Sequence, residues 1–127
     1  MYHCCGKAES LVEDMIDIGW AVWGSVQKSN DIAGLIEKYG DKIGFSGGFD
    51  STGPASRVDA TQEIIDAEVK RCIDTYGKYH KAYCFFGFRY SGTLDPANTA
   101  REMGKIVESV MRQGFEKLMS EMPPQAN

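Results

Sequence analysis

The chain has 127 residues, of which 43% are hydrophobic and 25% charged, and its net charge is −4. That length supports one domain with its own core and excludes two. Slight acidity without a Lys/Arg-rich run argues against a nucleic-acid surface or an anionic-membrane anchor, and no apolar run approaches the roughly 20 residues of a bilayer span.

Met1–Cys4 reads as the end of a strand. From Lys7 to Ile18, Leu11, Val12, Met15 and Ile16 recur at helical spacing, and Gly19 ends the segment. Trp20–Trp23 is a second strand. Asn30 and Asp31 offer caps for a helix whose face is Ile32, Leu35, Ile36 and Tyr39, stopped by Gly40. Ile43–Phe45 is a third strand, followed by the loop "SGGFDSTGPASRVD". A helix over 61–76 follows, with Asp59 as its cap and Ile65, Val69, Cys72, Ile73 and Tyr76 as its face. "AYCFF" is the fourth strand. Asp95-Pro96 then opens a last helix carrying Met103, Ile106, Val107, Val110 and Leu118, closed by Pro123-Pro124. Residues 1–122 read as a single domain, and 123–127 as a disordered tail.

The pattern is α/β: four consecutive βα units with parallel strands and right-handed crossovers. Four such units are half of a (β/α)₈ TIM-type barrel, whose first strand here reads as clipped. A small open α/β sheet is the alternative, but no GxGxxG turn supports a nucleotide fold.

The four cysteines are Cys4, Cys5, Cys72 and Cys84, with neither CxxC nor finger-like spacing. The opening residues lack the basic start and apolar core of an export signal. A cytoplasmic protein with reduced thiols is expected, without a Cys4–Cys5 disulfide. His3 and Cys5, two apart in an extended segment, share a face, and Cys4 points away. Imidazole and thiolate together suit Zn²⁺, although a catalytic zinc needs a third protein ligand; residual packing is the plain alternative. Cys72 reads as core, and Cys84 as either strand core or ligand. "SGGFDSTG" is either a phosphate cradle or a turn needing positive φ, and it lacks a Walker lysine. Tyr83, Phe85, Phe86 and Phe88 read as packing, and His80 falls on the rim opposite the other polar residues.

Five features in order carry a resemblance: "HCCGK", "VQ", "IEKYGDKIGFSGGFDS", "EIIDAEVKRCIDTYG" and "DPANTAREM". The chain resembles the C-terminal half of the uroporphyrinogen decarboxylase superfamily, which also holds cobalamin-dependent methyltransferases. That resemblance implies a (β/α)₈ barrel with its chemistry at the C-terminal rim of the strands. It implies a zinc ligand set of His3, Cys5 and a later cysteine, for which Cys84 is the candidate on a strand. It implies a pocket lined by Gly47, Gly48 and Asp50, with Gln27 and Asn98 as further substrate contacts. For Gln27 and Asn98 the alternative is a helix cap or a loop-backbone partner.

The implied reaction moves a methyl group between a corrinoid, a co-substrate on a partner protein, and a thiol. Zinc would lower the pKa of that thiol. A tetrapyrrole decarboxylase fragment is the weaker kinship, since the carboxylate and arginines typical of that branch lie in the half this chain does not match. No residue is assigned a catalytic role. A half-barrel exposes two sheet edges and an apolar inner face, so a homodimer or a second half-barrel chain is expected, with a corrinoid protein as a further partner. The other function class is a non-catalytic remnant acting through association.

Overall fold

The computed structural model describes residues 1–79, 81–89, 92 and 95–122. The expectations for His80 and for the tail 123–127 lie outside the described residues. Four parallel strands form one sheet in the order β1 (Tyr2–His3), β2 (Val22–Val26), β3 (Gly44–Gly48) and β4 (Tyr83–Phe86). The helices α1 (Val12–Asp17), α2 (Ile32–Tyr39) and α3 (Gln62–Tyr76) connect them, and α4 (Pro96–Glu121) follows β4. The protein is therefore α/β with a four-stranded parallel sheet. Among the described residues no helix is long and apolar enough to cross a membrane.

Local chemistry explains most boundaries. After α1, Gly19 has a φ of 85°, and the amides of Gly19 and Trp20 bond back to Ile16 and Met15. This left-handed stop satisfies carbonyls that the helix end leaves free. Asp31 caps α2 by accepting from the Gly34 amide at 3.1 Å, and Asp95 caps α4 through Ala97. Thr61, not Asp59, is the N-cap of α3. Asp59 instead pairs with Arg57 at 3.2 Å, which fixes it in the loop two residues too early.

The helical periodicity of α3 holds: Ile65, Val69, Cys72 and Tyr76 are buried. On the sheet's helix-facing side Trp23 and Phe45 are 0% and 1% exposed, in tilted ring contact 6.2 Å between centroids. Burying each contributes about 1.5–3 kcal/mol. Tyr83 continues this row at the β4 edge and sets its ring in tilted contact with Tyr76 of α3, 5.0 Å between centroids. Cys72 lies in this core, and burial pushes its thiol up to about 12.

Further expectations fail, the first in β3, which runs on through Ser46–Gly48 where a loop is expected. The second strand starts at Val22 and not Trp20. The Trp20 ring stacks on Tyr2 at 5.1 Å, so the aromatic residue that suggested a strand serves as an edge cover. The apolar residues of α4 do not form one buried face: Ile106 is buried, whereas Val107 and Leu118 are both 58% exposed. α4 meets α3 and the β4 edge on one flank only. Phe86, expected in packing, is likewise exposed.

Candidate functional site

The C-terminal ends of the strands form a cleft of about 150 Å³ lined by His3, Cys5, Gln27, Gly47, Phe49 and Phe86, among others. That is below the roughly 300–1,000 Å³ of a typical ligand pocket.

One wall is the segment after β1. His3 Nε2 and Cys5 Sγ lie 2.7 Å apart, and Cys4 is turned to pack against the core. The alternation of an extended chain places them so. All four cysteines are free thiols. The turn behind the pair is held by groups from the β2–α2 loop. Asn30, 4% exposed, accepts from the Ala8 amide at 2.9 Å and donates to the carbonyls of Gly6 and Gln27. Gln27 Oε1 accepts from the Gly6 amide at 2.7 Å, and the Trp23 indole donates to the Cys4 carbonyl at 3.0 Å. Gln27 thus lines the cleft and also satisfies loop backbone.

The floor is irregular strand. β2 bulges between Gly24 and Val26, with Ser25 at a φ of 57°. A non-glycine residue in that region is uncommon, and such bulges re-aim a side chain beside a site. Here the bulge carries Ser25 into the cleft lining. Opposite it, Gly47 and Gly48 have φ of 148° and 84°. A Cβ on Gly47 would stand 2.4 Å from the Val26 carbonyl oxygen, and one on Gly48 would stand 2.7 Å from the Tyr76 ring. Ser46, Gly47 and Gly48 thus end β3, and both glycines are needed there for space and for φ. Tyr83 donates to the Gly47 carbonyl at 2.6 Å, and burial raises its hydroxyl pKa.

The other residues expected at the site are elsewhere. Asp50 is absent from the cleft lining. It pairs with Lys28 at 3.1 Å, accepts from the amide and hydroxyl of Thr52, and takes part in a separate groove beside Glu68 and Arg71. Burial pushes its carboxyl up, but Lys28 and Thr52 together outweigh this and hold it below the ordinary value. Gly48 gives its carbonyl to Arg71, which is bound to Glu68 at 2.6 Å. Asn98, in the first turn of α4, accepts from Arg101 at 3.2 Å and does not line the cleft.

Cys84 pairs with Ser46 on β3, level with Gly24 and His3 along the register. It is three strands from His3, about 14 Å across an extended sheet at 4.7–4.9 Å per strand. Zinc ligands at 2.0–2.3 Å from one ion cannot be so far apart. Among the described residues no three His, Cys, Asp or Glu side chains gather as a metal-holding group. His3 and Cys5 suit two positions of a zinc shell, but no donor among the described residues completes it.

One contributor was not expected from sequence, and another, Arg89, is legible there only as a polar residue at the strand rim. Asn30, read only as a helix cap, builds the turn behind the pair; its partners are up to 24 residues away in the chain. Arg89 is a buried anchor, donating to the carbonyls of Ala55 and Arg57 and to Glu102 at 2.6 Å. Its side chain is wholly buried, which no local pattern signals.

Comparison of the chain with family models, with curated proteins and with solved structures returns no match.

Proposed function

We propose that the chain forms one half of a (β/α)₈ barrel and that its rim cleft is the thiol end of a methyl-transfer site, as in the corrinoid methyltransferases it resembles. The observation that carries this reading is the meeting of His3 and Cys5 at 2.7 Å in a cleft at the C-terminal rim. A parallel sheet in strictly sequential order supports the half-barrel part, because doubly wound folds reverse their strand order.

In this reading an incoming thiol enters the cleft beside the pair, and its proton passes to the His3 imidazole. The sulfur electron pair would then form the S–C bond to the methyl carbon as the Co–C bond breaks, its electron pair staying on the cobalt of a corrinoid carried by a partner protein and leaving it as cobalt(I). Such proton transfer by a positioned histidine typically contributes about 10²–10⁴-fold. Were zinc bound, with His3 and Cys5 as two of its ligands and a third donor from outside one chain's described residues, the metal and not the imidazole would lower the thiol pKa.

The test uses untagged protein with methylcobalamin and a short-chain thiol, following thioether formation by mass spectrometry and zinc content by elemental analysis. Wild type should form thioether above the protein-free rate, and the His3→Ala/Cys5→Ala variant should lose at least 10-fold of that excess. Equal rates in both proteins would overturn the assignment.

A second reading, a non-catalytic half-barrel acting through association, is favoured by the large apolar side chains exposed at both edges of the sheet.

A further inference from the structure

Exposed apolar residues are not spread evenly over this molecule. Among the described residues thirteen large ones are exposed. Four of them, Met1, Tyr2, Leu11 and Ile18, belong to the β1–α1 edge. Seven belong to the β4–α4 edge, among them Phe86, Val107, Met111, Phe115 and Leu118. Only Val58 and Ile64 lie elsewhere. Scattered surface hydrophobes need no explanation, but two such concentrations at opposite ends of one sheet do.

The geometry of α4 defines what is missing at its edge. Gln113 and Lys117 bond the carbonyls of Asp66 and Ile73 on α3, which fixes one flank. Ile106 and Val110 pack toward the core. Val107, Met111 and Phe115 follow at i, i+4 and i+8, with Leu118 on the same stripe, and face away from both. Between this stripe and Phe85–Gly87 runs an apolar groove of about 290 Å³. The groove flanks an open parallel strand edge, as the β1 edge also is.

Surface area gives the scale. A compact chain of 14.1 kDa exposes about 6,700 Å². This chain exposes 7950 Å², an excess of roughly 1,200 Å² over that expectation. A standard protein interface covers about 800 Å² per partner. The excess is of the same order as the surface one partner contributes to a standard interface.

We infer that a second copy of this chain covers both edges at once, β1 and α1 of each copy seating against β4 and α4 of the other about a two-fold axis. The inference rests on the half-barrel reading above. Eight parallel strands in sequential order then close into one barrel, and neither edge remains. Closure also sets the strand that carries Cys84 beside the strand that carries His3.

The test is a pair of complementary variants. Val107→Glu/Met111→Glu alters the β4–α4 edge, and Leu11→Lys/Ile18→Lys alters the β1–α1 edge; all four positions are exposed, so folding is checkable by far-UV circular dichroism. Light scattering at micromolar concentration should give twice 14.1 kDa for wild type. Each variant alone should be monomeric, with a dissociation constant raised about 100-fold or more. Mixed one to one they should return to dimer mass, because one unaltered contact and one Glu–Lys contact face each other. A monomeric wild type overturns the inference, as does a species larger than a dimer. A Leu11→Lys/Ile18→Lys variant that stays dimeric also overturns it, since α4 would then be pairing with itself. A dimer that forms no thioether leaves this inference standing and removes only the methyl-transfer reading.

Discussion

On the β3–β4 side of the rim, Arg89, Glu102, Arg71 and Glu68 are joined to one another in pairs and to backbone carbonyls. On the β1–β2 side the polar side chains divide. Asn30 and the amide oxygen of Gln27 are taken by backbone, whereas His3 and Cys5 meet each other at the open cleft. The first side has more charge. Its charges neutralise each other and hold loops, so little donor capacity is left for a ligand. The second side has two soft donors with no structural partner beyond themselves among the described residues. Free donor capacity, and not charge density, separates a candidate site from a scaffold.

The comparison is broken most severely at Arg89. Replacing it with alanine leaves Glu102 with Lys105 alone, at 2.8 Å, and the Ala55 carbonyl without its side-chain donor, and it removes one of the two donors to the Arg57 carbonyl. Breaking a buried pair in this way is expected to cost about 3 kcal/mol. Urea denaturation of Arg89→Ala against wild type measures it. A loss below about 1 kcal/mol would place Arg89 with ordinary surface pairs and dissolve the contrast between the two sides.

Asn30→Ala attacks the other side through its support. Three hydrogen bonds disappear, and the Ala8 amide and Gly6 carbonyl lose their partner. The expected cost is about 2 kcal/mol, less than at Arg89 because no charge is stranded. Hydrogen exchange should speed up at Ala8 more than in α3, since the fault is local to the turn behind His3 and Cys5. Uniform acceleration across the chain would mean that the turn is part of the global core.

How far this was legible from sequence follows the range of the interactions concerned. The apolar periods of α2 and α3, the Asp31 and Asp95 caps and the positive φ of the glycines that end β3 are local, and residue order specifies them. The convergence of His3 and Cys5 is local too, a consequence of strand alternation. Roles that depend on distant partners were not readable. Trp20 resembles a strand residue until its stacking on Tyr2 is known, and Asp59 resembles a cap until Arg57 claims it. Arg89 reaches partners 13 to 34 residues away. The stripe on α4 has the same spacing whether it is buried by its own chain or by another, so periodicity alone could not tell Val107 from Ile106.

The smallest expected effect on stability is at the candidate site itself. His3 and Cys5 are exposed, and their bond to each other is replaceable by water. His3→Ala and Cys5→Ala should each change unfolding free energy by no more than about 0.5 kcal/mol. The same substitutions should remove cobalt(II) or zinc binding followed by absorbance or elemental analysis, because each removes one of the two soft donors in the cleft. That combination distinguishes a site from a packing element. A residue retained for packing loses stability when truncated and leaves metal uptake unchanged; a donor facing a ligand does the reverse. Should either variant cost 2 kcal/mol or more, the pair belongs with Arg89 and Asn30 as scaffold, and the asymmetry between the two sides of the rim vanishes.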